Sequence, residues 1–219
     1  MTEIIVHSIP GSPYGRAVLI ALEEKEARYR LAPVQPGTLK TPQHLVRHPF
    51  GRIPIVEFGD FRLFETQAIL RYIDRTLEGT TLTPRDARGA ARMDQFMNVN
   101  DWYVFQGVAN VIAFQRLVAP KLMGRKPDEA AITAAMPHAL RVFDALAHEL
   151  GDSPYFVGDA VTLADIMLVP QIDFLAATPE WPALTANGAN LVEWLGRMNA
   201  RPSLQATTWE RVSAMACAC

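Results

Sequence analysis

Residues 48–56 of the chain are His48-Pro49-Phe50-Gly51-Arg52-Ile53-Pro54-Ile55-Val56, and this stretch predicts a turn that leads into a β-strand. Proline has no backbone N–H to donate to a sheet, so it belongs at the first residue of a strand or at an edge. The Ile53-Pro54 bond is either trans, in an ordinary strand, or cis, as at about 5–6% of X-Pro bonds. In the cis case, the N–H and C=O of Ile53 face outward and can pair with an extended, peptide-like ligand.

The pattern around this stretch predicts a small mixed sheet with helices. Ser12-Pro13 marks a helix start, because serine suits the N-cap and proline the first helical position. Gly59-Asp60 joins two short apolar runs as a tight hairpin. The predicted order is a strand over 4–7, a helix over 16–26, a strand over 29–31, a loop over 33–42, a helical turn over 45–48, hairpin strands over 55–58 and 61–64, and a helix from Glu65-Thr66. A helix between two strands implies a parallel pair, to which the hairpin adds antiparallel strands.

Beyond residue 78 the pattern changes to a period of 3.6 residues and predicts helices alone. One long helix is expected from Met93 to Ile112 and a second over 131–150. Thr162 and Asp165 form a capping-box pattern, with Val161 and Ile166 spaced as a hydrophobic staple. We therefore expect a first α/β domain over 1–78, a linker over 79–86 and an all-helical domain over 87–219.

Composition excludes several classes of protein. The chain has 219 residues, 49% of them hydrophobic and 20% charged, and a net charge of -2. This is ordinary globular composition, and it argues against a nucleic-acid partner. No apolar run is long enough to span a membrane, and no secretory signal is visible, so we expect a cytoplasmic protein without a membrane partner.

Cysteines and histidines give no clear metal or disulfide pattern. The only cysteines, Cys217 and Cys219, lie in the last three residues, which excludes a disulfide framework. A terminal Cys-x-Cys can bind metal or react with oxidants, although a frayed tail is the alternative. No histidine cluster has the spacing of a zinc site, so no metal is predicted.

Several stretches together resemble the cytosolic glutathione transferases, most of all the phi class, with theta as its neighbour. The resembling parts are residues 11–25, 48–54 and 64–73, the capping box with its staple, and 201–205. The resemblance covers nearly the whole chain. It implies a thioredoxin-like α/β N-terminal domain, an all-α C-terminal domain, a homodimer, and glutathione as co-substrate.

Ser12 is the catalytic candidate. The thiolate is the reactive form of a thiol, whose ordinary pKa is about 8.5. A hydroxyl donor and the positive end of a helix both stabilise that negative charge. The alternative is that Ser12 serves only as an N-cap, but the resemblance places it on the serine of phi and theta enzymes. Tyr14 and Ser8 are reserve donors, and no cysteine lies near enough for a cysteine-based enzyme.

The resemblance also assigns the residues that hold glutathione. Glu65 would pair with the γ-glutamyl amine, while Thr66 and the N–H groups at a helix start would hold its carboxylate. The alternative is a glutamate and threonine that simply suit a helix start. The backbone at Ile53 and Pro54 would bind the cysteinyl part as an added strand does, and the resemblance therefore predicts the cis isomer of the Ile53-Pro54 bond.

The glycyl carboxylate of glutathione needs a cation. Lys40 falls where phi enzymes keep a lysine, but the neighbouring histidine of those enzymes is Leu39 here. Arg52 stands where a glutamine is common and supplies either charge or a hydrogen bond. His44 and His48 are further candidates, or else ordinary surface or turn histidines.

The acceptor of the sulfur would be an apolar electrophile, because the partners of glutathione usually are. Aromatic side chains near the predicted site are candidates for its pocket, although aromatic residues at helical spacing are often core. They are Tyr14, Trp102, Tyr103, Phe105, Phe114 and Trp209.

Three functions fit these residues. The first is conjugation of glutathione to an electrophilic carbon. The second is other glutathione chemistry on the same site, as in a peroxidase, dehalogenase or isomerase. The third is a non-catalytic binding or scaffold protein, which the departure at Leu39 favours and the retained Ser12, Glu65 and Thr66 oppose.

Overall fold

The computed structural model describes residues 3–217, and within them the chain forms two compact units. One unit contains the residues up to Thr81 together with those from Ala200 onward. The other is Leu82–Asn199. The boundary between Thr81 and Leu82 falls inside the stretch 79–86 that the sequence suggested as a linker.

The first unit contains a four-stranded mixed sheet. Its strands are β1 (Ile4–Ser8), β2 (Arg30–Pro33), β3 (Ile55–Phe58) and β4 (Phe61–Phe64), in the spatial order β2-β1-β3-β4. The pair β1 and β2 is parallel, and the other two pairs are antiparallel. With the helices α1 (Pro13–Glu24), α2 (Pro42–Arg47) and α3 (Thr66–Thr76), this confirms the predicted thioredoxin-like order.

The core of this unit lies where α1 and α3 pack together and against the sheet. Every residue of α1 from Gly15 to Leu22 is buried, because all of them except Gly15 and Arg16 are apolar and pack in the core. Helix α3 is strongly amphipathic and buries only Ile69, Leu70, Ile73 and Thr66. At the end of α1, the ammonium of Lys25 lies 2.8 Å from a carboxylate oxygen of Asp74 on α3, and both side chains are almost wholly buried.

Helix α2 is longer than the sequence pattern predicted. It begins at Pro42, with Thr41 as its N-cap accepting a hydrogen bond from the backbone N–H of His44. The same N-cap and proline signal that predicted α1 at Ser12-Pro13 is therefore present at Thr41-Pro42. The prediction of a loop up to residue 42 and a turn over 45–48 missed it.

The second unit is helical, as predicted. Its α-helices are α4 (Ala87–Val99), α5 (Ala119–Met123), α6 (Glu129–Leu150), α7 (Leu163–Ala176), α8 (Trp181–Leu184) and α9 (Ala189–Asn199). Between α4 and α5 the chain is π-helical over Asn100–Ala109, with a break at Gln106 and Gly107, and again over Phe114–Val118. The expectation of one continuous helix from Met93 to Ile112 is wrong, because Gln106 and Gly107 leave helical geometry and Gly107 has a left-handed φ of 80°. Only glycine adopts that conformation without steric cost.

Asp165 organises the interior of the second unit. Its buried carboxylate accepts hydrogen bonds from the backbone N–H of Thr162 at 2.9 Å and of Phe156 at 3.0 Å, and from the indole N–H of Trp194 at 2.9 Å. The predicted capping box at Thr162 is present. Asp165 also binds the loop at Phe156 and, through Trp194, helix α9. The four-residue pattern alone does not indicate these two contacts.

The segment after Asn199 belongs to the first unit, whereas the sequence suggested a helical domain that continues to residue 219. It forms α10 (Pro202–Ala206) and α11 (Trp209–Cys217). The guanidinium of Arg201 donates to both carboxylate oxygens of Glu24 on α1, at 2.8 and 2.7 Å, and the Ser203 hydroxyl also donates to Glu24. These polar contacts bridge 177 or more residues of sequence, which periodicity cannot reveal.

Glu24 should make the stability of the first unit depend on pH. Burial raises the pKa of Glu24, but hydrogen bonds from Arg201 and Ser203 outweigh burial and hold it below its usual value of 4.5. Glu24→Gln should therefore lower the free energy of unfolding by about 1.5–3 kcal/mol at neutral pH. A lowered carboxyl pKa contributes stability above the unfolded value, and that contribution is lost as pH falls through the folded one.

Urea unfolding of both proteins from about pH 7 to pH 3 measures this dependence. The difference in the free energy of unfolding between wild type and Glu24→Gln should begin to shrink below about pH 4.5 and should continue to shrink as pH falls toward 3. A difference that stays constant across the range would contradict the assignment.

None of the helices within residues 3–217 has both the length and the apolar character needed to cross a bilayer. Cys217 is a free, exposed thiol at the end of α11, while Cys219 lies outside the described residues.

Candidate active site

The sheet register brings three predicted site segments to one end of the sheet. Ile55, the first residue of β3, pairs with His7 near the end of β1 and with Phe64 at the end of β4. The residues that follow β1, precede β3 and follow β4 therefore meet at that end. These are the loop with Ser12, the Ile53-Pro54 pair, and Glu65 with Thr66.

Ser12 is the N-cap of α1, and its hydroxyl oxygen accepts a hydrogen bond from the backbone N–H of Gly15 at 3.2 Å. A capping role and a catalytic role are compatible in this hydroxyl. The cap uses a lone pair of the oxygen, whereas stabilising an anion uses its proton. Within residues 3–217 the Ser12 hydroxyl donates to no other group, so its proton is available to a ligand.

Ser8 lies beneath the first turn of α1. It is 2% exposed, and its hydroxyl oxygen has no hydrogen-bond partner among the described residues. A Cβ added to Gly15 would clash with that oxygen, so a residue without a side chain is required there. The reserve donor Ser8 is thus enclosed, while Ser12 is half-buried at the helix start.

The Ile53-Pro54 peptide bond is cis, which confirms the isomer that the family resemblance predicted. Pro54 is buried and Ile53 is half-buried. Within the described part of the chain, neither the N–H nor the C=O of Ile53 makes a hydrogen bond. Both groups are therefore available to an extended ligand backbone.

Glu65 has an unusual backbone conformation, with φ 69° and ψ 112° at the N-cap of α3. A left-handed φ in a residue other than glycine costs about 1–3 kcal/mol and is most often found at functional sites. The carboxylate makes no capping hydrogen bond to its own helix and is exposed, whereas Thr66 is buried. The alternative of a glutamate that merely caps a helix is therefore disfavoured.

Lys40 and Arg52 meet at the loop that leads to Ile53. The Lys40 ammonium donates to the backbone carbonyl of Phe50 at 2.9 Å, and the imidazole Nε2 of His44 donates to the carbonyl of Arg52 at 2.9 Å. Both cationic side chains are exposed. The structure thus gathers two cations beside the predicted peptide-binding edge.

His44 and His48 support this loop from inside. Both are buried, and the His48 ring packs 4.6 Å from the ring of Phe64. Burial lowers the pKa of His48, although the nearby charge of Glu65 acts in the opposite direction. Because both histidines are buried, the exposed cationic side chains at this loop are Lys40 and Arg52.

Arg47 fastens α2 to the sheet, a contact that sequence reasoning missed. Its guanidinium donates to the carboxylate of Glu57 at 2.7 Å and to the imidazole Nε2 of His7 at 2.8 Å. The hydrogen bond from Arg47 lowers the pKa of Glu57, and burial lowers that of His7. No sequence signal links these residues, because they meet only through strand pairing.

The predicted pocket aromatics are divided between the two units. Tyr14 and Trp209 are half-buried in the unit that contains Ser12, and the Trp209 ring lies directly against Gly11. In the second unit, Trp102 and Tyr103 are exposed, and Phe105 and Phe114 are half-buried within the π-helical segments. Among residues 3–217, no group of three or more His, Cys, Asp or Glu side chains is arranged to hold a metal ion.

Family models of known proteins match both parts of the chain. Residues 2–75 match the family model of the glutathione S-transferase N-terminal domain, and residues 110–202 match that of the C-terminal domain. The chain is 34% identical over 213 residues to glutathione S-transferase 3 of Zea mays, with 94% of each chain covered. It is 32% identical over 186 residues to the probable glutathione S-transferase GSTF2 of Oryza sativa subsp. japonica, with 84% of this chain and 86% of the relative covered.

Solved structures with a similar fold belong to the same kind of protein as these relatives. Glutathione transferase F2 of Populus trichocarpa superposes with a TM-score of 0.85 at 26% identity, over 96% of this chain and 99% of the other. The similar proteins are plant phi-class homologues, in keeping with the class that the sequence resembles.

Proposed function

Because this chain belongs to the glutathione S-transferase family, we propose that it joins the sulfur of glutathione to an apolar electrophile and that Ser12 holds this sulfur as the thiolate. The observation that carries the proposal is the hydroxyl of Ser12 at the start of α1. Its oxygen accepts from the N–H of Gly15, and its proton remains for the ligand.

The chemistry required of Ser12 is modest. Lowering the pKa of a thiol by about two units, which makes the thiolate the main form at neutral pH, requires about 2.7 kcal/mol. A hydrogen bond to a charged group contributes about 1.5–3 kcal/mol, and a helix N-terminus up to about 2 kcal/mol in a partly buried site. One hydroxyl at the start of α1 is therefore sufficient. The hydrogen bond that Ser12 accepts polarises its O–H and strengthens donation.

The glutamyl and cysteinyl parts of glutathione would bind along the end of the sheet. Ile53 supplies a backbone N–H and a backbone C=O, in the manner of an added strand. Glu65 pairs with the glutamyl amine, while the hydroxyl of Thr66 and the N–H groups at the start of α3 hold the glutamyl carboxylate. The strained backbone at Glu65 supports this role, because it turns a carboxylate away from its own helix.

Lys40 and Arg52 would hold the glycyl carboxylate. An ammonium has three donors, and Lys40 uses one of them on the carbonyl of Phe50. Arg52 offers an exposed guanidinium two residues from Phe50. This pair compensates for the leucine at position 39, where phi enzymes keep a histidine.

In the unit that contains Ser12, the candidates for contact with the electrophile are Tyr14 and Trp209. In the second unit, the candidates are Trp102, Phe105 and Phe114. We further propose a cytoplasmic homodimer, as is typical of the family. Val46 and Phe50 support the dimer, because they are 76% and 63% exposed and offer apolar surface to a second copy.

A panel of electrophiles tests the function directly. Alkyl halides, activated aromatic halides, isothiocyanates, hydroperoxides and maleylacetone-type isomers are each incubated with glutathione and the protein. Turnover of the carbon electrophiles supports conjugation, whereas turnover confined to hydroperoxides or isomers supports the alternative chemistry. Tight glutathione binding without turnover of any member would favour a scaffold protein.

Glu65→Gln should weaken glutathione binding by about 10–100-fold, because one charge-assisted hydrogen bond is lost. The pKa of the bound thiol should stay the same, because the glutamyl amine is remote from the sulfur. Calorimetric titration gives the affinity, and ultraviolet absorbance of the thiolate gives the pKa. Glu78→Gln, an exposed glutamate in the same unit, is the matched control, and equal affinities in the two variants would remove Glu65 from the site.

A further inference from the structure

The Trp209 ring packs on the backbone of the turn that presents Ser12. A Cβ added to Gly11 would clash with Cε2, Cζ2 and Cδ2 of that ring, so the ring covers the Gly11 Cα in direct contact. Gly11 has a left-handed φ of 87°, and the turn around it is closed by a hydrogen bond from the N–H of Ser12 to the carbonyl of Ile9 at 2.9 Å. The residue under the ring is therefore the one whose torsion angles set the position of Ser12.

The segment that leads to Trp209 is itself fixed to α1. Arg201 and Ser203 bind Glu24 near the end of α1, and the Arg16 guanidinium donates to the carbonyl of Leu204 at 3.4 Å. Helix α11 packs against β2, with Val212 buried. The segment from Ala200 onward is thus fastened at several points, and Trp209 is the residue by which it reaches the Ser12 turn.

We infer that Trp209 is a positioning residue for Ser12: the C-terminal segment, through this ring, holds the Gly11–Ser12 turn in the conformation that aims the Ser12 hydroxyl at the glutathione sulfur. The inference rests on the proposed function of Ser12 and adds to it. A tryptophan that only lined the acceptor pocket would affect binding of the electrophile. A tryptophan that positions Ser12 also affects ionisation of the glutathione thiol when no electrophile is present.

The geometry favours a positioning role for Trp209, because its ring contacts the backbone of Gly11 and leaves no room for a side chain there. A glycine with positive φ samples many conformations when nothing covers it. Hydrogen-bond energy falls steeply when the donor is misaimed, so a small rotation at Gly11 weakens the contact from Ser12 to the thiolate. The flat ring limits that rotation.

The thiolate pKa of bound glutathione, followed by ultraviolet absorbance with glutathione alone, is the decisive measurement. Trp209→Ala should raise this pKa by about one unit, so that the thiolate fraction at neutral pH falls about threefold. The affinity for glutathione should change less than about threefold, because Ile53, Glu65 and Thr66 are untouched. Trp209→Phe, which keeps a flat ring over Gly11, should restore most of the thiolate, whereas Trp209→Leu should not. Arg211→Ala, exposed on the same helix, is the control for effects on α11 itself.

The double variant Ser12→Ala/Trp209→Ala separates this inference from the proposed function. If Trp209 acts through Ser12, adding Trp209→Ala to Ser12→Ala should leave the thiolate pKa unchanged. If Ser12→Ala raises the pKa but Trp209→Ala and Trp209→Leu do not, the positioning role is overturned and the role of Ser12 stands. An unshifted pKa in Ser12→Ala would overturn both. Should Trp209→Ala fail to fold, the comparison of Trp209→Leu with Trp209→Phe decides the question.

Discussion

Replacing Ser12 by alanine should raise the pKa of the bound glutathione thiol by about two units, and it should lower the conjugation rate at neutral pH by about 25-fold as the thiolate fraction falls. The Ser12 hydroxyl lies at the N-cap of α1, where it can donate to a bound sulfur. Glutathione affinity should change little, because the contacts to its backbone and its two ends remain. Stopped-flow absorbance of the bound thiolate against pH, together with kcat and KM, measures each quantity.

The same change also removes an N-cap, which costs about 1 kcal/mol of stability, so two companion variants are needed. Ser12→Gly lacks the hydroxyl, yet glycine is a tolerated N-cap that costs only a few tenths of a kcal/mol. It should lose the thiolate as fully as Ser12→Ala. Ser12→Thr keeps a hydroxyl that both caps and donates, and it should keep much of the activity.

A wild-type thiolate pKa in Ser12→Ala would exclude Ser12 as the activating group. Tyr14, at the same helix start, would then be the next residue to test. A thiolate lost in Ser12→Ala but retained in Ser12→Gly would mean that the cap, rather than the hydroxyl, is what matters.

Lys25→Met should lower the free energy of unfolding by about 3–5 kcal/mol, the usual cost of removing one partner of a buried ion pair. The Lys25 ammonium lies 2.8 Å from the Asp74 carboxylate and 3.3 Å from the Asp74 carbonyl, with the two side chains 2% and 3% exposed. The ammonium also sits at the carboxyl end of α1, where the helix dipole favours positive charge. Lys25→Met removes the ammonium that lies beside this buried carboxylate.

Equilibrium unfolding in urea at a fixed protein concentration measures this cost, since any dimer makes apparent stability depend on concentration. The double variant Lys25→Met/Asp74→Leu should recover most of the loss, because replacing both charges by apolar groups is often nearly neutral. Arg30→Met breaks an exposed pair with Glu3 in the same unit and should cost less than about 1 kcal/mol. Equal losses in Lys25→Met and Arg30→Met would show that burial of the pair is unimportant.

Local sequence signals gave reliable predictions for the parts of the fold that depend on neighbouring residues. Ser12-Pro13 predicted the N-cap of α1, Gly59-Asp60 predicted the hairpin, and Thr162 with Asp165 predicted a capping box. Each depends on torsion angles or hydrogen bonds within about four residues of chain. The missed start of α2 at Thr41-Pro42 carries the same kind of signal, so it was recoverable from sequence.

Other features depend on contacts between distant residues and were out of reach. The break at Gln106-Gly107 interrupts a regular apolar pattern, and a single glycine in such a pattern is usually tolerated within a helix. The buried roles of His44 and His48 follow from the packing of α2 against the loop at Arg52 and against Phe64. In the sequence they are two histidines in a polar stretch, which suggested a cation for the ligand.

Local patterns in the sequence were enough to predict the four strands, the helices α1 and α3, and the family, because periodicity, turn chemistry and motif spacing depend on neighbouring residues. The cis isomer of the Ile53-Pro54 bond was predicted only through the family resemblance. The hydrogen bond from Gly15 to Ser12, the strained backbone at Glu65 and the Trp209 ring on Gly11 are visible only in the folded chain. The physical reason is that strand register and the return of the C-terminal segment bring together residues as much as about 200 positions apart, and no local pattern encodes such contacts.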